Sequence, residues 1–373
     1  MRFKPFTDFY DQIGFAPTST TGHRKIAKLN RLKTQLYENL GINHSLLKYL
    51  DILEIGPGSG ENLQRLITFS PKSLTILDGS SAVINNLRHK ILQSKSTKIK
   101  FITADALTFK SNKQYDLIIA EGILPFQLFP RKMLINIAKL LKVNGSIIIT
   151  TADEFSIFSE VCRRYISKRV FRDLKYSKDK VKLLVNFFQK DFSCLPGMTR
   201  NFDDWIVDSI INPWGGELFS IKDALKIPNL KLQESSPRIF YDWRWYKDPS
   251  FLQDKNINLK EIDTYSKNSL NLFDRRFEVN TIDVESYKAI SKVLMDFYYN
   301  IRDHMFGEKE ISKNNFEDTI MNLLYFSNVF HPETRKSLKA LIKWSKTDDL
   351  EKLEDFRSLW GRGQQFLHLR KIK

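Results

Sequence analysis

Residues 49–60 read YLDILEIGPGSG and residues 61–69 continue as ENLQRLITF. An apolar run ends in glycines at every second position, and an amphipathic helix follows. Glycines at such a strand-to-helix turn permit unusual dihedrals and let a ligand approach the backbone, while the helix presents unpaired amides. The spacing of Gly56, Gly58 and Gly60 is G-x-G-x-G, whereas the dinucleotide fingerprint is G-x-G-x-x-G and would need a glycine where Glu61 stands. That difference counts against a nicotinamide cofactor.

Outward from this turn, short apolar runs alternate with amphipathic helices, as expected for a parallel sheet covered on both faces. SLTILD (73–78) is a second strand. It ends in Asp78, where a carboxylate can accept both hydroxyls of a ribose. The following helix, 80–94, can be capped by Ser80 or Ser81. IKFITAD (99–105) is a third strand and YDLIIAEGIL (115–124) a fourth. RKMLINIAKLLKVNG (131–145) is expected as a helix terminated by Gly145, and SIIITT (146–151) as a fifth strand.

Beyond Thr151 the order loosens into helices near 157–171 and 181–188 and a loop with a short helix over 194–216. Leu230–Pro237 offers a sixth strand. From 255 to 356 helical spacing dominates, as in Tyr287, Ile290, Val293, Leu294, Phe297 and Ile301. GRGQQFLHLRKIK (361–373) then resumes a strand-like alternation. The expected fold class is α/β, a seven-stranded, mostly parallel Rossmann-like sheet with helices on both faces. The expected organisation is a helical N-terminal extension or lid (1–48), a core (49–250) with an insertion at about 155–228, a helical insertion or cap (251–356), and a returning last strand (357–373).

LEIGPGSG and LTILDGS together resemble class I S-adenosylmethionine-dependent methyltransferases, whose hallmark is an acid, an x-G-x-G-x-G loop and an acid ending strand two. FITADAL, YDLIIAEGIL and LLKVNGSIIIT match the same family, so the resemblance covers about residues 49–152. It implies S-adenosyl-L-methionine as cofactor and S-adenosyl-L-homocysteine as product; no metal is expected, because the six scattered histidines form no HxxxH or HxH pair and no acidic cluster has ligand spacing. Gly56, Gly58 and Gly60 would line the methionine and ribose portion, Asp78 would bind the ribose, and Asp105 and Ala106 would flank the adenine. Glu54, Asn62, Gly79 and Ser80 complete the implied cofactor set. Glu121, just past the fourth strand, would face the methionine end and the acceptor.

A methyl sulfonium is already activated, so the protein must chiefly align an acceptor lone pair behind the S-methyl bond. His23, in the polar loop FAPTSTTGHRK, is a candidate general base because imidazole titrates near neutral pH. Glu121 and Asp242 are further catalytic candidates. Arg24 could hold a phosphate, and Trp214, Trp243 and Arg244 could contact the acceptor.

The chain has 373 residues, 42% apolar, with 28 Phe and a formal charge of +16. No run approaches the roughly 20 apolar residues of a membrane span, and the two cysteines, Cys162 and Cys194, form no metal or redox spacing. A cytoplasmic location is expected. The charge suits a small anionic acceptor such as a phosphorylated metabolite or a nucleotide-linked sugar. RNA is the second reading, but AEGILPF is unlike the motif of amino-group base methylators. A nicotinamide oxidoreductase and a non-catalytic cofactor-binding protein are the readings from other classes.

Overall fold

In a computed structural model, residues 6–91, 97–195, 197–212, 214–240, 247, 257–306 and 313–372 are described. Asp242, Trp243 and Arg244 lie outside them, as do Tyr241 and Trp245. The described strands are β1 (Asp51–Ile55), β2 (Ser73–Asp78), β3 (Lys98–Thr103), β4 (Tyr115–Ala120), β5 (Leu141–Thr151), β6 (Leu230–Ser236) and β7 (Gln365–Lys371). They form one sheet in the order β3-β2-β1-β4-β5-β7-β6. The first five pair in parallel, and β7 runs antiparallel between β5 and β6. All five residues of β1 are buried, because helices cover both faces of the sheet.

Strand order reverses between β1 and β4. In open α/β sheets, a ligand crevice forms outside the carboxyl ends of the strands at such a switch point. The loops that matter therefore follow β1, β2, β3 and β4. Five helices serve this edge: α1 (Thr7–Ile13), α2 (His23–Asn39), α3 (Glu61–Thr68), α4 (Ser81–Ile91) and α5 (Pro130–Lys139).

The helix expected over 131–145 ends at Lys139. Leu141 to Gly145 are instead the irregular start of β5, where the register with β4 shifts between Tyr115 and Leu117. Asn144 takes a positive φ of 64°, and a Cβ on Gly145 would lie 2.9 Å from the Lys142 carbonyl and 3.1 Å from that of Tyr115. Leu140 and Leu141 are buried, and either a helix or a strand would bury them, so apolar periodicity could not place this boundary.

After β5 comes α6 (Glu154–Phe171), started by a reciprocal cap: the Ser156 amide donates to Asp153 Oδ1 at 2.7 Å and the Asp153 amide to Ser156 Oγ at 3.2 Å. It is buried nearly all round, between the sheet and the helix Val284–Met305. Ile290, Leu294, Phe297 and Ile301 of that helix share one apolar core with Ile147, Ile149, Phe155 and Phe158. The C-terminal helices thus complete the core of the sheet. Among the described residues no helix is long and apolar enough to cross a membrane.

Candidate functional site

A cavity of about 620 Å³ opens at the carboxyl edge of the sheet, within the range that small-molecule sites occupy. Gly56 and Gly58 after β1, Asp78 and Gly79 after β2, Asp105 and Ala106 after β3, and Glu121 after β4 line it. Gly56 and Gly58 take φ of 65° and 58°, in the left-handed region that only glycine enters without cost. Space is as restrictive as dihedral angle here: a Cβ on Gly56 would collide with Ile123, and one on Gly58 would sit 2.5 Å from Thr18 Oγ1.

Asp78 closes β2 with its carboxyl at the cavity wall. Burial, reinforced by the nearby Asp11 carboxylate, pushes it up to about 6 against the amide of Ser80, which donates to Oδ1 at 2.8 Å. A carboxylate held by the Ser80 and Gly79 amides retains lone pairs for two hydroxyl donors. Glu54, Gly60, Asn62 and Ser80 do not line the cavity. They support its wall instead. Asn62 Nδ2 donates to Glu54 Oε1 at 2.9 Å beneath the glycine loop, Gly60 opens α3, and Ser80 Oγ donates to Asp11 Oδ1 at 2.5 Å. Burial pushes the Glu54 carboxyl up to about 7, and its Oε2 has no partner among the described residues.

Glu121 is held from α2, by an ion pair with Lys33 and a 2.5 Å hydrogen bond from the Tyr37 hydroxyl. The N-terminal segment covers the same edge. Thr7, Tyr10 and Thr18 line the cavity, and Thr18 Oγ1 accepts the Ser59 amide at 2.9 Å, tying the segment to the glycine loop. His23 and Arg24 sit elsewhere, exposed in the first turn of α2 and off the cavity wall. His23→Ala should leave any methyl-transfer activity within about twofold of wild type between pH 6 and 9, measured with saturating cofactor, because its exposed ring lies off the cavity wall; a lost alkaline or acidic limb would return His23 to the chemistry.

The far end of the cavity is built by segments after β5. Glu160 projects from α6 one turn after Ile157, which lines the cavity beside it. Asp208 accepts from the Tyr10 hydroxyl at 2.8 Å and from Arg200 at 2.9 Å. Trp205 and Trp214 add apolar wall. Trp214, a candidate acceptor contact, does line the cavity. Its faces are occupied, however, by Phe126 at 4.2 Å and the Arg164 guanidinium at 4.4 Å, leaving the edge for a ligand. Tyr10, Glu160, Arg200 and Asp208 were not singled out from sequence; the one available signal was an acid flanked by Phe158, Val161 and Cys162.

Gly216 sets the position of the Phe126 loop. A Cβ there would collide with the Phe126 carbonyl, a backbone atom that cannot turn aside. Gly216→Ala should cost about 2 kcal/mol, as overpacking commonly does, read as a lower denaturation midpoint; an unchanged midpoint would show that the loop yields freely.

Residues 46–189 match a protein family described as a methyltransferase domain. A malonyl-[acyl-carrier protein] O-methyltransferase of Paenibacillus sp. (strain JDR-2) is 29% identical over 104 residues, which are 27% of this chain and 38% of that protein. The chain thus spans well under half the length of this curated relative. Among solved structures, N-methyltransferase NodS from Bradyrhizobium japonicum WM9 in complex with S-adenosyl-L-homocysteine is similar at 23% identity, over 34% of this chain and 63% of that one, with a TM-score of 0.29. PKMT2 from Rickettsia typhi is similar at 15% identity, over 90% of this chain and 75% of that one, with a TM-score of 0.42. Residues 46–189 thus match a methyltransferase domain, and the glycine loop after β1 and the acid closing β2, which carry the class I resemblance, lie within that span at the carboxyl edge of the sheet.

Proposed function

We propose that the chain transfers a methyl group from S-adenosyl-L-methionine to a nitrogen or oxygen atom of a small acceptor. The observation that carries this reading is one continuous cavity. At one end lie the glycine turn and Asp78, suited to an adenosyl group, and at the other a polar pocket made by residues after β5. The cofactor supplies an activated methyl group. The chain's own residues then have three tasks: Gly56, Gly58, Asp78, Asp105 and Ala106 hold the cofactor, Glu121 braces its methionine end, and the far pocket orients the acceptor.

The anionic acceptor expected from the overall charge is not carried into this reading. Asp78, Asp105, Glu121, Glu160 and Asp208 line the cavity, and Arg200 is the cationic side chain among them, already paired with Asp208. Net charge describes the outer field, and the local wall has the opposite sign. Two unpaired cysteines suit a reducing cytoplasm. Incubation with tritiated S-adenosylmethionine and fractionated metabolite pools tests the activity. Label should enter a small-molecule fraction, whereas label confined to RNA would reassign the acceptor class.

A further inference from the structure

Glu160, in the far pocket, is an ionisable group that no described residue engages. The Glu160 carboxylate makes no hydrogen bond or ion pair among the described residues. It lies deep in the fold, with its remaining exposure at the cavity it lines. The charged groups facing it are all engaged elsewhere. Arg163 pairs with Asp191 at 3.0 Å, and Arg200 with Asp208 at 2.9 Å. Arg164 donates to the carbonyls of Ser209 and Asn212, both at 2.8 Å. Among the described residues, a ligand entering this pocket therefore meets a free acceptor, while each cation facing it is already bonded.

We propose that this pocket receives an amine, protonated in solution, and that the Glu160 carboxylate takes its proton before methyl transfer; this rests on the methyltransferase reading above. The acceptor's ammonium gives one proton to Glu160. The freed nitrogen lone pair forms the new N–CH3 bond while the electrons of the S–CH3 bond return to sulfur, and Glu160 releases its proton to solvent. Burial raises the Glu160 carboxyl to about 7, since the arginines only partly offset it. The same burial disfavours a charged ammonium and brings its proton within reach, but it drives a phenol or alcohol further from ionisation. A carboxylate acceptor would be repelled and, among the described residues, would meet only cations that are already bonded.

The test uses the full chain, tritiated S-adenosylmethionine, and four probes presented separately: n-hexylamine, n-hexanol, p-cresol and hexanoate. Label is expected in hexylamine, with kcat/KM rising through about pH 7. Glu160→Gln should lower that rate about 100-fold, the low end of general-base contributions, and erase the limb near pH 7. Its affinity for S-adenosylhomocysteine should stay within twofold of wild type, and its melting temperature should rise at pH 8 but not at pH 4. Label preferring any of the other three probes, unlabelled hexylamine in a protein that binds S-adenosylhomocysteine, or a Glu160→Gln variant with an unchanged pH profile would each overturn the proposal. Failure of the wild-type chain to bind S-adenosylhomocysteine would instead remove the methyltransferase reading beneath it.

Discussion

Asp78→Ala should weaken S-adenosylhomocysteine binding about 100-fold, close to 2.7 kcal/mol at 25 °C. Hydrogen bonds to a charged acceptor contribute roughly 1.5–3 kcal/mol each, and in the proposed cofactor pose Asp78, at the cavity wall, would accept two from a ribose. The ligand-free variant should be no less stable than wild type. Burial disfavours the ionised carboxyl, so removing it relieves a cost rather than a support. Ionisation also gives the wild type a pH signature. With the carboxyl near 6 in the free protein, binding is full above that value and declines as pH falls through it, because protonation withdraws acceptor capacity. Calorimetric titrations of both proteins at pH 5 and 8 check this. A variant that binds as wild type does would take Asp78 out of the cofactor site.

Arg164→Ala should destabilise the fold by about 3 kcal/mol: two buried carbonyls lose their donors at roughly 1–3 kcal/mol each, partly offset by relief of a buried charge that burial disfavours. Its guanidinium bridges the carbonyls of Ser209 and Asn212 and lies against Trp214, all inside the protein. Removal leaves two buried carbonyls without donors and a void beside the indole. These groups shape the far pocket, so any surviving activity should show a raised KM for acceptor with the affinity for S-adenosylhomocysteine retained. Denaturant unfolding with both measurements would detect the effect; a loss under 1 kcal/mol would mean that water satisfies those carbonyls.

The first half of the sheet was readable from sequence because each βα unit carries its own local signal. The apolar run of Ile52 to Ile55, the glycines that follow, and the acid at Asp78 all report on a neighbourhood of a few residues. The last strand was also foreseen, from the alternation around Phe366, Leu367 and Leu369. Its antiparallel insertion between β5 and β6 is a long-range pairing that no local pattern encodes. The acceptor end was not readable for the same reason. Tyr10 and Asp208 are 198 positions apart and meet through a single hydrogen bond, and Lys33 reaches Glu121 from a helix that sequence could only describe as amphipathic. His23 and Arg24 drew notice through residue type alone, and the surface position they occupy is the ordinary one for such side chains.

One titration bears most directly on whether this crevice is built for an adenosyl sulfonium: isothermal calorimetry of the purified full chain with S-adenosylhomocysteine and, in parallel, with NADH. Saturable one-to-one heat with the first ligand, none with the second, and loss of that heat in a Gly58→Val, Asp78→Ala double variant that still melts cooperatively is the predicted result. Silence with S-adenosylhomocysteine, or binding of NADH in its place, would contradict the account.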